Sequence, residues 1–223
     1  VAVQAGEGTI ELFFGSISIP AGAKTLSGYL ARPDGEGEWP TVLVFGPEPR
    51  PVPSVKNLCR ILARHGIAAL ALDMIDDSET NALIVSRVAR FMTNPSGSWS
   101  NAQFGYGVLA FGNGILDASS IAARDGRVLA IVSISSTLGP QVVENLAAAS
   151  IPGLWIGSRS DGSVDVDISV AAQIPLPQTS FVIHADADEG FWDDGADGFD
   201  EQIAADTADR LISFLADELP PRV

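Results

Sequence analysis

In "LAFGNGILDASS", Leu109 to Ser120, an apolar run enters a Gly-Asn-Gly turn and leaves it as an amphipathic stretch. A strand-turn-helix junction of this kind can hold a Ser or Cys nucleophile at the top of a sheet, beside the N–H groups that open the helix. Here that position is Gly112, which has no side chain with which to attack a carbonyl. The Asn113 N–H, at the helix start, still offers the scaffold of an oxyanion hole.

The other candidates stand at later strand ends. "IPGLWIGSRSD" closes on Asp161, and "FVIHADADEGFWDD" places His184 and Glu189 ahead of the last helical stretch. His65 and His184 are the only histidines. His65, in "ARHGI", falls at a helix C-terminus, where the helix dipole favours a cation. His184 follows "FVI" and has two readings, a residue that swings toward the site or a hydrogen-bonded strand-end histidine. Ser135, Ser136, Ser158 and Ser160 lie near strand ends, but none has a Gly-x-Ser-x-Gly turn around it. Cys59, the one cysteine, lies within "NLCRILARHG", where mid-helix burial hides a thiol and raises its pKa. The loop with Asp186, Asp188, Glu189, Asp193, Asp194 and Asp197 offers carboxylate oxygens, yet its spacing does not fit an EF-hand calcium loop. It reads as a solvated acidic loop, with Phe191 and Trp192 packed on the final helix.

Alternating strands and helices must position these residues. "GTIELFFGSISIPAGAKTLSGYLARP" reads as two or three antiparallel strands joined by Gly and Pro turns. Then short apolar runs follow: "TVLVFG", "AALALDM", "YGVLAFG", "VLAIVSIS", "GLWIGS" and "SFVIHA". Runs apolar throughout suit parallel strands covered on both faces. Between them lie the helical stretches "VKNLCRILARHG", "ALIVSRVARFM", "GILDASSIAARDG" and "QVVENLAAAS". A last helix, "DEQIAADTADRLISFLADEL", has a stripe through Ile203, Ala204, Ala208, Leu211, Ile212 and Leu215. The predicted fold is a doubly wound, mostly parallel α/β sheet with antiparallel N-terminal strands, a three-layer sandwich in one domain spanning 1–223. Ligands in such sheets sit beyond the carboxyl ends of the strands.

The order of elbow, acid loop and a loop before the last helix resembles the α/β-hydrolases, and in detail the dienelactone hydrolase family. The likeness runs from "GYLARP" through "ARHGIAALALDM" to "ADRLISFLADEL" as many weak matches. It implies a nucleophile at Gly112, an acid at Asp161 and a general base at Glu189, where the family has histidine in a Gly-His-x-Phe pattern. Nucleophile and base are therefore both replaced. Glu48, in "GPEPRPVP", falls within a residue of where the family often places a Glu near the nucleophile. Triad members act as a unit, and losing one costs about 10⁴- to 10⁶-fold in rate. Only "IDDSETN" stands where the family has a longer excursion over its pocket, so a shallow, open site is expected.

Composition narrows the partners. The chain has 223 residues, a net charge of −15 and 46% apolar residues. Nucleic acid and anionic membrane are repelled at range, and no apolar run approaches the ~20 residues of a membrane span. One cysteine allows no intrachain disulfide. The expectation is a cytoplasmic, dienelactone-hydrolase-like protein that has lost hydrolase chemistry and acts in binding or assembly. It needs no cofactor or metal, and its partner is a small molecule or a protein, with Asn113, Glu48 and His184 around the pocket. A homo-oligomer remains open. Two alternatives stand: an ester or lactone hydrolase with an unorthodox nucleophile, and an acidic oligomerisation domain.

Overall fold

A computed structural model describes residues 8–21, 24–73, 87–93, 99–161 and 165–223. Two long strands, β1 (Leu12–Ala21) and β2 (Lys24–Pro33), form an antiparallel hairpin. Six further strands follow: β3 (Thr41–Phe45), β4 (Ala68–Leu72), β5 (Tyr106–Phe111), β6 (Val128–Ile134), β7 (Gly153–Ser160) and β8 (Thr179–Asp188). They complete one sheet in the order β1-β2-β4-β3-β5-β6-β7-β8. β2 pairs antiparallel with β4, and every neighbouring pair from β4 to β8 is parallel. The apolar runs are thus the inner strands: every residue of β3, β4 and β5 is buried, as expected for strands covered on both faces.

The helices are α1 (Pro53–Arg64), a helical segment over 87–93, α2 (Ile115–Arg124), α3 (Pro140–Ala149), the short α4 (Val166–Ala171) and α5 (Glu201–Glu218). One face of the sheet packs on α1 and α5 through Val55, Cys59, Leu62, Leu211 and Leu215. The other packs on the segment over 87–93, α2 and α3 through Val88, Met92, Ile121, Val142 and Leu146. The apolar stripes of α1 and α5 recur at three- and four-residue spacing, which is what lays them flat on the sheet. Asp200 caps α5, its carboxylate accepting from the N–H groups of Gln202 and Ile203 at 3.0 Å each. Cys59 is buried in α1, and burial pushes its thiol up to about 12, so it is inert at neutral pH.

From β3 the chain crosses to β4, then returns past β3 to β5 and continues outward. The direction of winding reverses between β3 and β5. Such a switch point opens a crevice at the carboxyl ends of the strands. The stretch "IDDSETN" and the first five residues of "ALIVSRVARFM" lie outside the described residues. Among those described, no helix is long and apolar enough to cross a membrane.

Candidate functional site

β5 ends at Phe111, Gly112–Gly114 form one 3₁₀ turn, and α2 starts at Ile115. No side chain caps either helical start. The first N–H groups, Asn113 among them, have no earlier helical carbonyl to bond. Gly112 has φ +49°, the left-handed region that a residue with a side chain enters at a cost of about 1–3 kcal/mol. Gly114 has a different reason to be glycine. A Cβ there would lie 2.7 Å from the Gly46 carbonyl oxygen and 2.8 Å from that of Phe45, so the end of β3 packs directly on the turn.

The surroundings of Gly112 decide what it can do. A Cβ built there meets Pro47 Cβ at 3.4 Å, Pro47 Cα at 3.8 Å and the Ser135 carbonyl oxygen at 3.9 Å. Among the described residues, therefore, no Ser, Cys or His side chain from elsewhere in the chain comes within about 3.5 Å of that point to stand in its place. Pro47 has no N–H, so the residue that faces the elbow from the β3 loop cannot act as a second oxyanion donor.

A cleft of about 450 Å³ opens over this turn, at the switch point, lined from the β3, β5 and β6 ends and from α3. Pro47, Ile115, Leu116 and Val142 give it apolar walls, with Asn113 and Ser135 among its polar groups. No lining residue is ionisable. The volume is within the range of small-molecule sites, about 300–1,000 Å³.

The remaining sequence candidates are dispersed. Glu48 is exposed and stands one residue beyond the cleft wall at Pro47. Asp161 is 3% exposed at the end of β7. Glu189 is exposed just past β8, and the Ser160–Asp188 pairing sets 161 and 189 side by side. Neither lines the cleft. The strand pairing sets Gly112, just past β5, level with Gly157 on β7, so Asp161 lies two strand spacings away, roughly 10 Å, and four residues further along the strand direction besides.

His184 is not a cleft residue, which corrects its placement from sequence. Alternation along β8 turns Val182 and His184 to the α5 face, and Phe181 and Ile183 to the other. Its Nε2 lies 3.3 Å from Thr207 Oγ1 and 3.9 Å from Asp206, and its ring packs edge-on against Phe191. Burial lowers its pKa; Asp206 and Asp200 oppose that shift, and Arg210 adds to it. The unfolded chain then takes up the proton first as pH falls. Stability from this contact is complete above the ordinary histidine value of about 6.5 and is lost as pH drops through the depressed folded value. Urea midpoints should decline from about pH 7 to pH 5, and His184→Gln should flatten that decline. An unchanged decline in the variant would place its origin elsewhere.

Trp192 is half-buried, its ring stacked on Phe111 with centroids 4.3 Å apart. The acidic loop is thereby tied to the strand that ends in the elbow. His65 caps the C-terminus of α1, as its sequence position implied. Ser135 was one of several strand-end serines in the sequence, and the structure singles it out. It is buried, lines the cleft and has φ +47°. No sequence signal marks it.

No family model matches the chain, and comparison with curated proteins finds no relative. Solved structures do match. A Klebsiella pneumoniae protein assigned as a dienelactone hydrolase superposes with a TM-score of 0.81 at 20% identity, over 92% of this chain and 99% of that one. A dienelactone hydrolase of Anabaena variabilis gives 0.74 at 20%, over 94% and 99%. A dienelactone hydrolase-like promiscuous phosphotriesterase from metagenomic libraries gives 0.77 at 16%, over 94% and 99%. The chain therefore has the α/β-hydrolase fold in its dienelactone-hydrolase-like form.

Proposed function

We propose that this chain is a non-hydrolytic binding domain on a dienelactone-hydrolase-like scaffold, taking a small molecule in the cleft over Gly112. The observation that carries this reading is Gly112 itself. It occupies the strained elbow conformation, with φ +49°, but supplies no nucleophile, and Pro47 faces it without an N–H. Glycine also relieves the strain that a nucleophile at this point must bear. The base position, Glu189, lies on the exposed rim, and His184 is engaged with α5. What the site retains is a half-built oxyanion hole and an uncharged cleft, which suit binding.

One observation favours a second reading, a hydrolase with a substitute nucleophile. Ser135 lines the cleft in a strained conformation. Against it, the Ser135 Oγ is covered, and both histidines are placed elsewhere. Activated esters, lactones and phosphotriesters assayed with purified recombinant protein separate the two. No turnover above buffer is expected. Turnover that Ser135→Ala abolishes would establish the second reading instead.

The elbow has a stability signature as well. Gly112→Ser should cost about 1–3 kcal/mol from backbone strain, with an unchanged denaturant slope and a lower midpoint. The 3.4 Å contact with Pro47 adds to the cost. A Gly112→Ser protein as stable as wild type would mean the turn is relaxed.

A further inference from the structure

We propose that Ser135 is the polar anchor of the cleft, and that the cleft takes a small, uncharged, largely apolar molecule carrying a carbonyl oxygen. This rests on the binding reading above and names its ligand class. Two unfavourable features meet in Ser135. Its backbone is left-handed at φ +47°, and its Oγ is buried with no hydrogen-bond partner among the described residues. Strain of this kind persists where the surroundings over-determine it, and it concentrates at ligand sites. A buried hydroxyl without a partner is costly for a separate reason, the lost hydration.

Comparison within the fold shows how unusual this residue is. Ser150, the other described non-glycine residue with positive φ, ends α3, where the left-handed conformation is a common helix stop. Ser133 has an unpartnered buried hydroxyl too, but lies within β6 and does not line the cleft. Ser135 alone of the three combines the strain, the unused hydroxyl and a place on the cleft.

The loop around it is held by several hydrogen bonds, none of which uses that hydroxyl. The Ser135 N–H donates to the Ile156 carbonyl at 2.9 Å. Ser136 Oγ donates to the Ile134 carbonyl at 3.1 Å, and Trp155 Nε1 donates to the Ser136 carbonyl at 2.8 Å. Thr137 Oγ1 accepts from the Asp165 N–H at 3.0 Å. A serine hydroxyl has three staggered χ1 positions, and the proposed role uses the one that presents the Ser135 hydroxyl to the cleft that the residue lines.

The ligand class follows from the lining. A carbonyl oxygen can accept from the Asn113 N–H at the helix start and from the Ser135 hydroxyl. Ile115, Leu116 and Val142 receive the apolar part. No ionisable side chain lines the cleft, so a charged ligand would be desolvated there without a partner. A chain of net charge −15 also repels anions at range.

The test is an amide-shift titration of labelled protein with three probes: acetophenone, ethylbenzene, which lacks the carbonyl, and benzoate. Acetophenone should bind saturably and shift the Asn113 amide. Ethylbenzene should bind about fivefold more weakly, the worth of one net hydrogen bond, and benzoate not at all. Ser135→Ala should weaken acetophenone by about the same factor and leave ethylbenzene unchanged. Ser135→Gly should raise the melting temperature, because it relieves the strain, yet lose acetophenone affinity equally. Unchanged acetophenone affinity in both variants, or benzoate binding as well as acetophenone, overturns the proposal while leaving the cleft a binding site. Binding of neither neutral probe to wild type overturns the binding reading as well.

Discussion

Trp155→Ala is expected to lower stability by about 3–5 kcal/mol, the range for truncating a buried large aromatic. Trp155 is fully buried in the core on the α2 and α3 side, and its ring packs against Phe181 with centroids 5.7 Å apart. The neighbouring chain is shaped to admit it: a Cβ at Gly157 would fall 2.4 Å from the indole ring. The indole also donates to the Ser136 carbonyl, so truncation removes a support of the cleft floor. Trp155→Phe keeps most of the packing and loses that bond, and should cost about 1–2 kcal/mol beyond any repacking. Urea denaturation of both variants checks this. A loss below about 1 kcal/mol for Trp155→Ala would show that the site is not packed as described.

Gly114→Ala is expected to cost about 2–4 kcal/mol, although alanine is the better helix former by about 1 kcal/mol. The reason is that the added methyl has nowhere to go. It meets the backbone of Phe45 and Gly46 at 2.7–3.0 Å, and backbone cannot rotate away as a side-chain tip can. Relief requires β3 to part from α2, which would open the elbow. The same variant should therefore also weaken ligand binding in the cleft, unlike a strained but well-accommodated substitution. A Gly114→Ala protein of wild-type stability would contradict the close packing of β3 on the turn.

Much of this sheet is legible in the sequence because its strands are buried on both faces. "TVLVF", "AALAL" and "YGVLAF" carry no alternation, and each is an inner strand of the sheet with every residue buried. The strand-turn-helix junction at Gly112 is legible for a related reason: an apolar run, paired glycines and an amphipathic stretch leave few other geometries. Less was readable where long-range pairing decides. β8 extends from "SFVIHA" to Asp188 because it stays paired with β7 past a register shift between Ser158 and Ser160. The side of the sheet taken by His184 depends on that register, and its partners Asp206 and Thr207 come from α5. The six-residue α4 has too little periodicity to announce itself.

The site divides in the same way. Residue types alone identify Gly112 as unable to attack and Asn113 as a helix-start donor. They do not reveal that Pro47, rather than Glu48, faces the elbow, since a Pro-rich loop leaves its register open. Nor do they mark Ser135. A serine in "SISST" has no local signal for left-handed backbone, and the loop's hydrogen-bond partners, Ile156, Trp155 and Asp165, stand 19 or more residues along the chain.

The central claim is that no side chain in this chain serves as a nucleophile at the elbow. The most direct measurement is the intact-protein mass after incubation with excess fluorophosphonate, a reagent that traps activated serines. The account predicts the unmodified mass, for wild type and for Ser135→Ala alike. A stoichiometric adduct on native protein, absent after denaturation before labelling, would contradict it, and peptide mapping would name the nucleophile.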